Sequence, residues 1–456
     1  MRRVLLSVGL ITVTLSAGSA SAWDPLNGDW SKTDPSDLRV MTWNVADAIS
    51  RNNNKQNILG NWNGIARTIA AMKPDVLILQ ECADNDGNGM SGGQDSVSQS
   101  EMTVDLLING GSDPFVGGTV GSYLKLYDPS LDYPVVFVSS DGDGFNRNII
   151  LSRFPLGDLN SDVNAQTEYS DIVVLPDQYA PGIDGGIRGY MFCEINLPDS
   201  IYAGDVVIGN GHLKAGGSSS DGLQRQNASK DIAYWIDYFY NGAGTGAPDP
   251  NNKIPFDTPG VTTILDPDTP VIWGGDLNQN IGAAAGNSKS PAQWTTEAAI
   301  NGGSDGTDRD GTDSQWDNAS HPLTGDSTSQ GSSSKLDFIC WQDSIATPRR
   351  EVIFRSGNGW PAEAPYPPPI DTFPGSPTLI SSFSSDHRPV IVDFMLPLAP
   401  PSCPSDLNGD MTIDTADLGI LIAQFGGSGN ADINNDGTVD TADLGILIGD
   451  FGSPCP

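Results

Sequence analysis

Two hydrophobic rhythms run along this chain. Between Trp23 and about Leu398, short apolar runs bounded by Gly, Pro, Asn and Asp predict strands. They are DLRVMTWNV, PDVLILQE, YPVVFV, RNIILS, RGYMFCEINL, DVVIGNGHL, PVIWGGDL, KLDFICW and HRPVIVDFM. GNWNGIARTIAAMKP and QRQNASKDIAYWIDYFY carry helical spacing instead. The mixture predicts an α/β or α+β sandwich. Stretches rich in Gly, Ser and Asp around 84–100 and 282–334 read as long loops, disordered or on the substrate side. The second rhythm follows LPLAPPSCP, whose prolines stop both strand and helix. DLNGDMTIDTADLGILIAQFG from Asp406 and DINNDGTVDTADLGILIGDFG from Asp432 are two copies of one unit, an acidic loop and an amphipathic helix.

The opening MRRVLLSVGLITVTLSAGSASA has two arginines, an apolar run and a small-residue site. It reads as a secretory signal peptide cleaved after Ala22, too short in its apolar part to span a bilayer. The expected order is therefore a signal peptide (1–22), a large α/β domain (23–396), a Pro-rich linker (397–404) and a small all-α module with acidic loops (405–456). The expected product is an exported, cell-surface or extracellular monomer with no integral membrane segment.

The formal net charge of −34 argues against a simple basic patch for nucleic acid. It does not exclude a polyanionic substrate, because bound divalent cations can supply positive field locally. Of five cysteines, Cys403 and Cys455 flank the repeat and suit a disulfide clasp in an exported chain, whereas Cys82, Cys193 and Cys340 sit in apolar runs and read as buried thiols.

Polar residues recur where the apolar runs stop. Asn44 ends RVMTWN, Glu81 ends DVLILQE and His212 ends VVIGNGH. Asp276 and Asn278 end VIWGGDLN, Asp337 lies in KLDFI, and Asp386 with His387 precedes PVIVDF. Each alone is an ordinary strand-end polar group. Together they predict one rim where acids, amides and two of only three histidines converge. His321, in ASHPL, reads as a non-catalytic loop residue. Gln80, Arg147, Arg153 and Lys214 suit local structure as well as a substrate.

TWNV, LILQE, GHLKA, GGDLNQN, KLDFI and SSDHRPV, in this order, resemble the endonuclease/exonuclease/phosphatase superfamily, the group of deoxyribonuclease I and bacterial sphingomyelinases. The resemblance covers nearly the whole large part. It implies a four-layer sandwich, two stacked mixed β-sheets flanked by helices, with the site at one edge. It also implies a metal-dependent phosphoric ester hydrolase. Glu81, Asn44 and Asp386 are the candidate ligands for magnesium or manganese, with calcium as an alternative. His387, oriented by Asp337, or else Asp276, is the candidate general base. Asn278 would bind phosphate or orient water, and His212 would stabilise the phosphate or protonate the leaving oxygen. Ala46 stands where some members carry an acid, with Asp47 beside it. A nuclease is the first expectation. A phospholipid head-group esterase or small-molecule phosphatase is the enzymatic alternative, and a non-catalytic scaffold the other.

The duplicated unit resembles a dockerin, a module that folds around two calcium ions and docks onto a cohesin. Loop oxygens from Asp406, Asn408, Asp410, Asp414 and Asp417, and from Asp432, Asn434, Asp436, Asp440 and Asp443, are the expected calcium ligands. The first copy departs from the loop pattern at Met411, where the second has Gly437.

Overall fold

Leu38–Asn44 forms β1, buried along its whole length, as an apolar run covered on both faces must be. The computed structural model describes residues 23–50, 55–82, 95–139, 146–157, 169–172, 190–237, 268–281, 314–399, 403–434, 436–453 and 455. The expected signal peptide lies outside them, as does residues 282–313 of the second expected loop.

Two six-stranded sheets dominate. In spatial order the first is β13 (Thr347–Ile353), β14 (Val390–Met395), β1, β2 (Val76–Gln80), β6 (Ile149–Ser152) and β5 (Val135–Val138). The second is β11 (Ser314–Trp316), β12 (Asp337–Gln342), β10 (Val271–Asp276), β9 (Val206–His212), β8 (Tyr190–Ile195) and β7 (Tyr169–Ile172). A small hairpin joins β3 (Gly111–Ser112) to β4 (Thr119–Val120). Each large sheet is mixed, with one parallel pair (β1 with β2, β9 with β10) and otherwise antiparallel neighbours.

The sheets stack face to face. Leu38, Val40, Val76, Ile78, Val390 and Val392 of the first share one buried cluster with Ile208, Ile272 and Ile339 of the second. Burying each such side chain contributes roughly 1.5–3 kcal/mol. The other face of the first sheet carries Met41, Trp43, Leu77 and Leu79. It packs under helices α1 (Asn61–Met72), α2 (Val97–Asn109) and α3 (Tyr123–Tyr127). Trp62, Ile65, Ala66 and Ile69 of α1 follow helical spacing into that core. Lys73 ends α1 in the left-handed region (φ 50°), and Pro74 then bars helix continuation. Helix α4 (Ser219–Asp237) follows β9, and the short α5 (Ile380–Ser384) precedes the SSDH stretch. Gly64 of α1 lets α5 come close; a Cβ there would lie 2.5 Å from Ser384 Oγ. The sandwich, with helices on it, matches the expected fold.

Two local expectations need correction. The stretch 84–100 is not loop to its end, because α2 begins at Val97 with a reciprocal cap between Ser96 and Gln99. The strands β7, β11 and β13 were not legible as apolar runs. They are outer strands, and β13 (TPRREVI) is exposed or half-buried over its first five residues, with only Val352 and Ile353 buried, one in each core.

In the C-terminal repeat each acidic loop leads into a helix, α6 (Thr415–Gln424) and α7 (Thr441–Asp450). Ile413, Leu421, Ala431, Val439 and Leu447 form a cluster of their own. Cys403 and Cys455 are disulfide-bonded, and Cys82, Cys193 and Cys340 are buried thiols. Asp406 accepts amides from Gly409, Asp410 and Met411, and Asp432 accepts from Asp436 and Gly437. The two loops thus turn alike, and Met411 takes the left-handed conformation (φ 67°) that Gly437 takes in the second copy. Asp414 and Asp440 cap their helices. The buried Asp417 and Asp443 accept backbone amides of their loops.

Candidate active site

Strand alternation builds the site. In β9, Val206 and Ile208 face the other sheet, so Asn210 and His212 follow on that face. In β10 the same row is Ile272, Gly274 and Asp276; in β12 it is Trp341, Ile339 and Asp337. In β1 it runs Leu38, Val40, Thr42 and Asn44. Each inward row is apolar at mid-sandwich and polar at the same rim.

Register then aligns the second sheet's groups. Asp276 pairs with His212 on one side and with Asp337 on the other, so one row crosses three strands. Because β12 is antiparallel to β10, the start of β12 reaches the rim where β9 and β10 end. The arrangement of β14 beside β1 and β2 is equivalent, and it delivers the segment before β14, with His387, to that edge. Gly275 allows the close strand approach: its φ is 156°, and a Cβ would meet Gly211 O at 1.7 Å.

Hydrogen bonds join the sheets. The Asn44 amide donates to Asp276 Oδ2 at 3.0 Å and to Glu81 Oε1 at 3.1 Å, while its oxygen accepts the Ala46 N–H. His387 Nδ1 lies 2.8 Å from Asp337 Oδ2, and its Nε2 lies 3.7 Å from Asp276 Oδ2. His212 Nε2 is 3.4 Å from Asp276 Oδ2 and 3.8 Å from Glu81 Oε1. Asn278, in the left-handed region (φ 55°), donates its amide to Leu213 O and its backbone N–H to Asp276 Oδ1, tying the ends of β9 and β10 together. Glu81 is also left-handed (φ 59°). It stands just beyond β2, and its side chain is 23% exposed where those of Asp276 and Asp337 are 3% and 0%. Glu81, Asp386 and His387 line an open cleft of about 390 Å³ with Asp47 and Ser385.

Burial, and then the neighbouring Asp337 carboxylate, push Asp276 up to about 7. For His387 burial opposes the charged form, but Asp337, by charge and hydrogen bond, and then Asp276 and Asp386 outweigh it and raise the imidazole to about 10. The pair therefore carries an imidazolium at neutral pH, beside a carboxyl poised near neutrality.

All the expected site residues of the large domain thus meet at this rim. Trp43, Ser385 and Asn210 belong to it without having been singled out. Trp43 Nε1 donates to His387 O, and Ser385 Oγ donates to Asn44 O and accepts the His387 N–H. Asn210 donates to Leu79 O and Ile149 O and accepts from Gln80, bridging the sheets behind the site. The signal for Asn210 was its place two residues before His212 on the same strand face.

Other candidates fall outside. Arg147 is a buried structural donor to Asp95 O and Ser139 O, and Arg153 pairs with Asp75 at 3.2 Å. His321 is buried against Trp30 and Trp360, and burial pushes it down to about 4. Gln80 is buried between the sheets.

A divalent cation fits the donor set. Oxygens of Asp276 and Asp337 lie within 4.8 Å of each other and of a His387 ring nitrogen, and Asp337 Oδ1 is buried with no hydrogen-bond partner among the described residues; the imidazolium has no lone pair to give, so the oxygens are the donors. Carboxylates thus crowd a rim whose close basic partners are the imidazoles of His387 and His212, and hard oxygen ligands in such a cluster suit a metal.

No family model matches the sequence, and no curated protein matches it. Solved structures do resemble the fold. An endonuclease/exonuclease/phosphatase from Beutenbergia cavernae is 18% identical at a TM-score of 0.41, with 80% of this chain and 73% of that one covered. The catalytic domain of human Nocturnin, with bound sulfate, is 13% identical at 0.41, covering 79% and 93%. D. rerio TDP2 in complex with a single-strand DNA product is 13% identical at 0.36, covering 79% and 99%. At such distances the chemistry has to be argued from the rim itself.

Proposed function

We propose that this chain is a divalent-cation-dependent phosphodiester hydrolase. The observation that carries the reading is the buried His387–Asp337 pair, with Asp276 beside it, at a rim that also presents Glu81 to an open cleft. Phosphoesters resist attack because their negative charge repels a nucleophile, and their uncatalysed hydrolysis is extremely slow. A cation held by Glu81 and Asp386, which line the cleft, would neutralise that charge. The chain's own groups do the rest. Asp276, poised near 7, accepts the proton of the attacking water. His387, held as an imidazolium by Asp337, faces the charge that develops on the phosphate. His212, in reach of Asp276 and Glu81, donates to the leaving oxygen. Asn278 positions the ends of β9 and β10.

A polynucleotide is the proposed substrate, acted on outside the cell by an exported chain. The C-terminal repeat is proposed to bind two calcium ions and to dock onto a cohesin-like partner. Ile422 and Phe425 in the first copy and Ile448 and Phe451 in the second are exposed at matching positions, a duplicated apolar face suited to a protein.

The test is hydrolysis by the purified full chain with magnesium, manganese or calcium. Plasmid DNA, RNA, sphingomyelin and bis-p-nitrophenyl phosphate are offered in parallel, with His387→Ala as control. Metal-dependent cleavage lost in the variant supports the reading and selects the substrate. A folded chain with no turnover on any of the four sinks it.

A further inference from the structure

Arg388 follows the His387 pair and takes no part in the chemistry above. Its Nη2 donates to Gly331 O at 2.6 Å; its Nη1 is buried with no hydrogen-bond partner among the described residues, and no carboxylate there pairs with it. An arginine in a chain of net charge −34 would ordinarily find an acid. Arg388 and a second guanidinium, Arg355, line a cavity of about 330 Å³, together with hydroxyl-bearing Ser356, Thr378, Ser381 and Ser382. Arg355 is paired with Asp326, whereas Arg388 makes no such close pair, although the Asp326, Asp337 and Asp386 carboxylates act on it from farther away. Ser382, Ser385 and Asp386 line both this cavity and the catalytic cleft, so the two depressions adjoin.

We propose that this cavity is a second anion subsite, built from Arg388 and Arg355 with the hydroxyls around them, that holds a phosphate neighbouring the scissile one. Guanidinium forks match phosphate oxygens, and hydroxyl groups complete the donor set. The subsite rests on the phosphodiesterase reading and deepens it. It explains how a strongly acidic chain could retain a polyanion, with local cations placed beside the cleft rather than over the surface. The ligand chemistry is a phosphate group one unit along the substrate, in a polynucleotide or in a small molecule with two phosphates.

The experiment compares the full chain with Arg388→Gln and Arg388→Lys on the dinucleotide TpT, on its phosphorylated forms pTpT and TpTp, and on bis-p-nitrophenyl phosphate. Equilibrium binding of the same dinucleotides is measured by calorimetry in the His387→Ala background. The native chain should prefer one phosphorylated form over TpT by about tenfold in kcat/KM and in affinity. Arg388→Gln should erase most of that preference, and Arg388→Lys should keep part of it. Equal losses on all substrates, a preference unchanged in Arg388→Gln, or no tighter binding of either phosphorylated form by the native chain would overturn the subsite. If nothing is hydrolysed, the phosphodiesterase reading fails, while the binding comparison still decides whether the cavity recognises phosphate. Nucleoside bisphosphates in a parallel titration tell a small ligand from a polynucleotide.

Discussion

The two sheets follow one plan and contribute different chemistry. Each places the ends of a parallel pair, and the approach to an antiparallel neighbour, at the same rim. The second sheet keeps its groups inside regular strands. His212, Asp276 and Asp337 share one row and are at most 2% exposed. The first sheet places Asn44 at a strand end but puts Glu81 and His387 just outside strands, on backbone that turns toward the cleft. Where a group stands in the register decides its electrostatics. Buried acids in a row perturb each other, whereas a partly exposed carboxylate beyond a strand end remains open to a ligand.

The comparison breaks most sharply at Asp337→Asn. The substitution keeps the strand row but removes the charge that the second sheet lends to His387. Turnover should fall on the order of a thousandfold. The imidazole, titrated by NMR, should move down from its raised value. A variant with near-native kcat would show that the cross-sheet pair is structural.

The next effect is on stability against pH. His387 is raised from 6.5 to about 10, so the folded chain holds a proton that the unfolded chain releases. Its stabilising contribution is complete below pH 6.5 and disappears as pH rises to about 10. Asp276, raised from 3.8 to about 7, acts in the same direction at lower pH, because the folded state keeps its proton longer. The urea-unfolding free energy of the native chain relative to His387→Gln should therefore drop between pH 6.5 and 10, by roughly 4 kcal/mol. A flat difference would refute the pairing.

Glu81→Gln tests the first sheet's share. It should weaken the apparent magnesium affinity about 10–100-fold, measured from the metal dependence of turnover, with most activity returning at high metal. Thermal stability should change little, because glutamine keeps the shape and an oxygen that accepts the Asn44 amide. Asn210→Ala gives the smallest effect on chemistry. It removes donors to Leu79 O and Ile149 O and a partner of Gln80. It should cost about 1–3 kcal/mol in chemical denaturation, with a kcat loss well below that of Asp337→Asn.

Much of this was legible because strands have a period of two. Apolar runs closing on Asn44, Glu81, His212, Asp276 and before Val390 marked both the strands and their polar ends. The long central strands, buried on both faces, were the easy ones. Outer strands such as β13 were not, because a strand that is polar over most of its length has too few apolar positions to stand out. Asn210 was hidden for the opposite reason: one amide inside an apolar strand looks like an exception until the facing sheet supplies Gln80 and two carbonyls.

The sequence by itself determined the sandwich, the residue types at its rim, the duplicated acidic loops and the pairing of Cys403 with Cys455. These follow from local periodicity, repetition and spacing, which need no knowledge of what lies across the core. The resemblance already paired His387 with Asp337; only the tertiary structure decided that they come from opposite sheets, that Asn44 spans Asp276 and Glu81, and that Arg388 and Arg355 line one cavity. Those contacts join residues distant along the chain. Their energies depend on register, on sheet stacking and on exclusion of water, none of which a linear pattern contains.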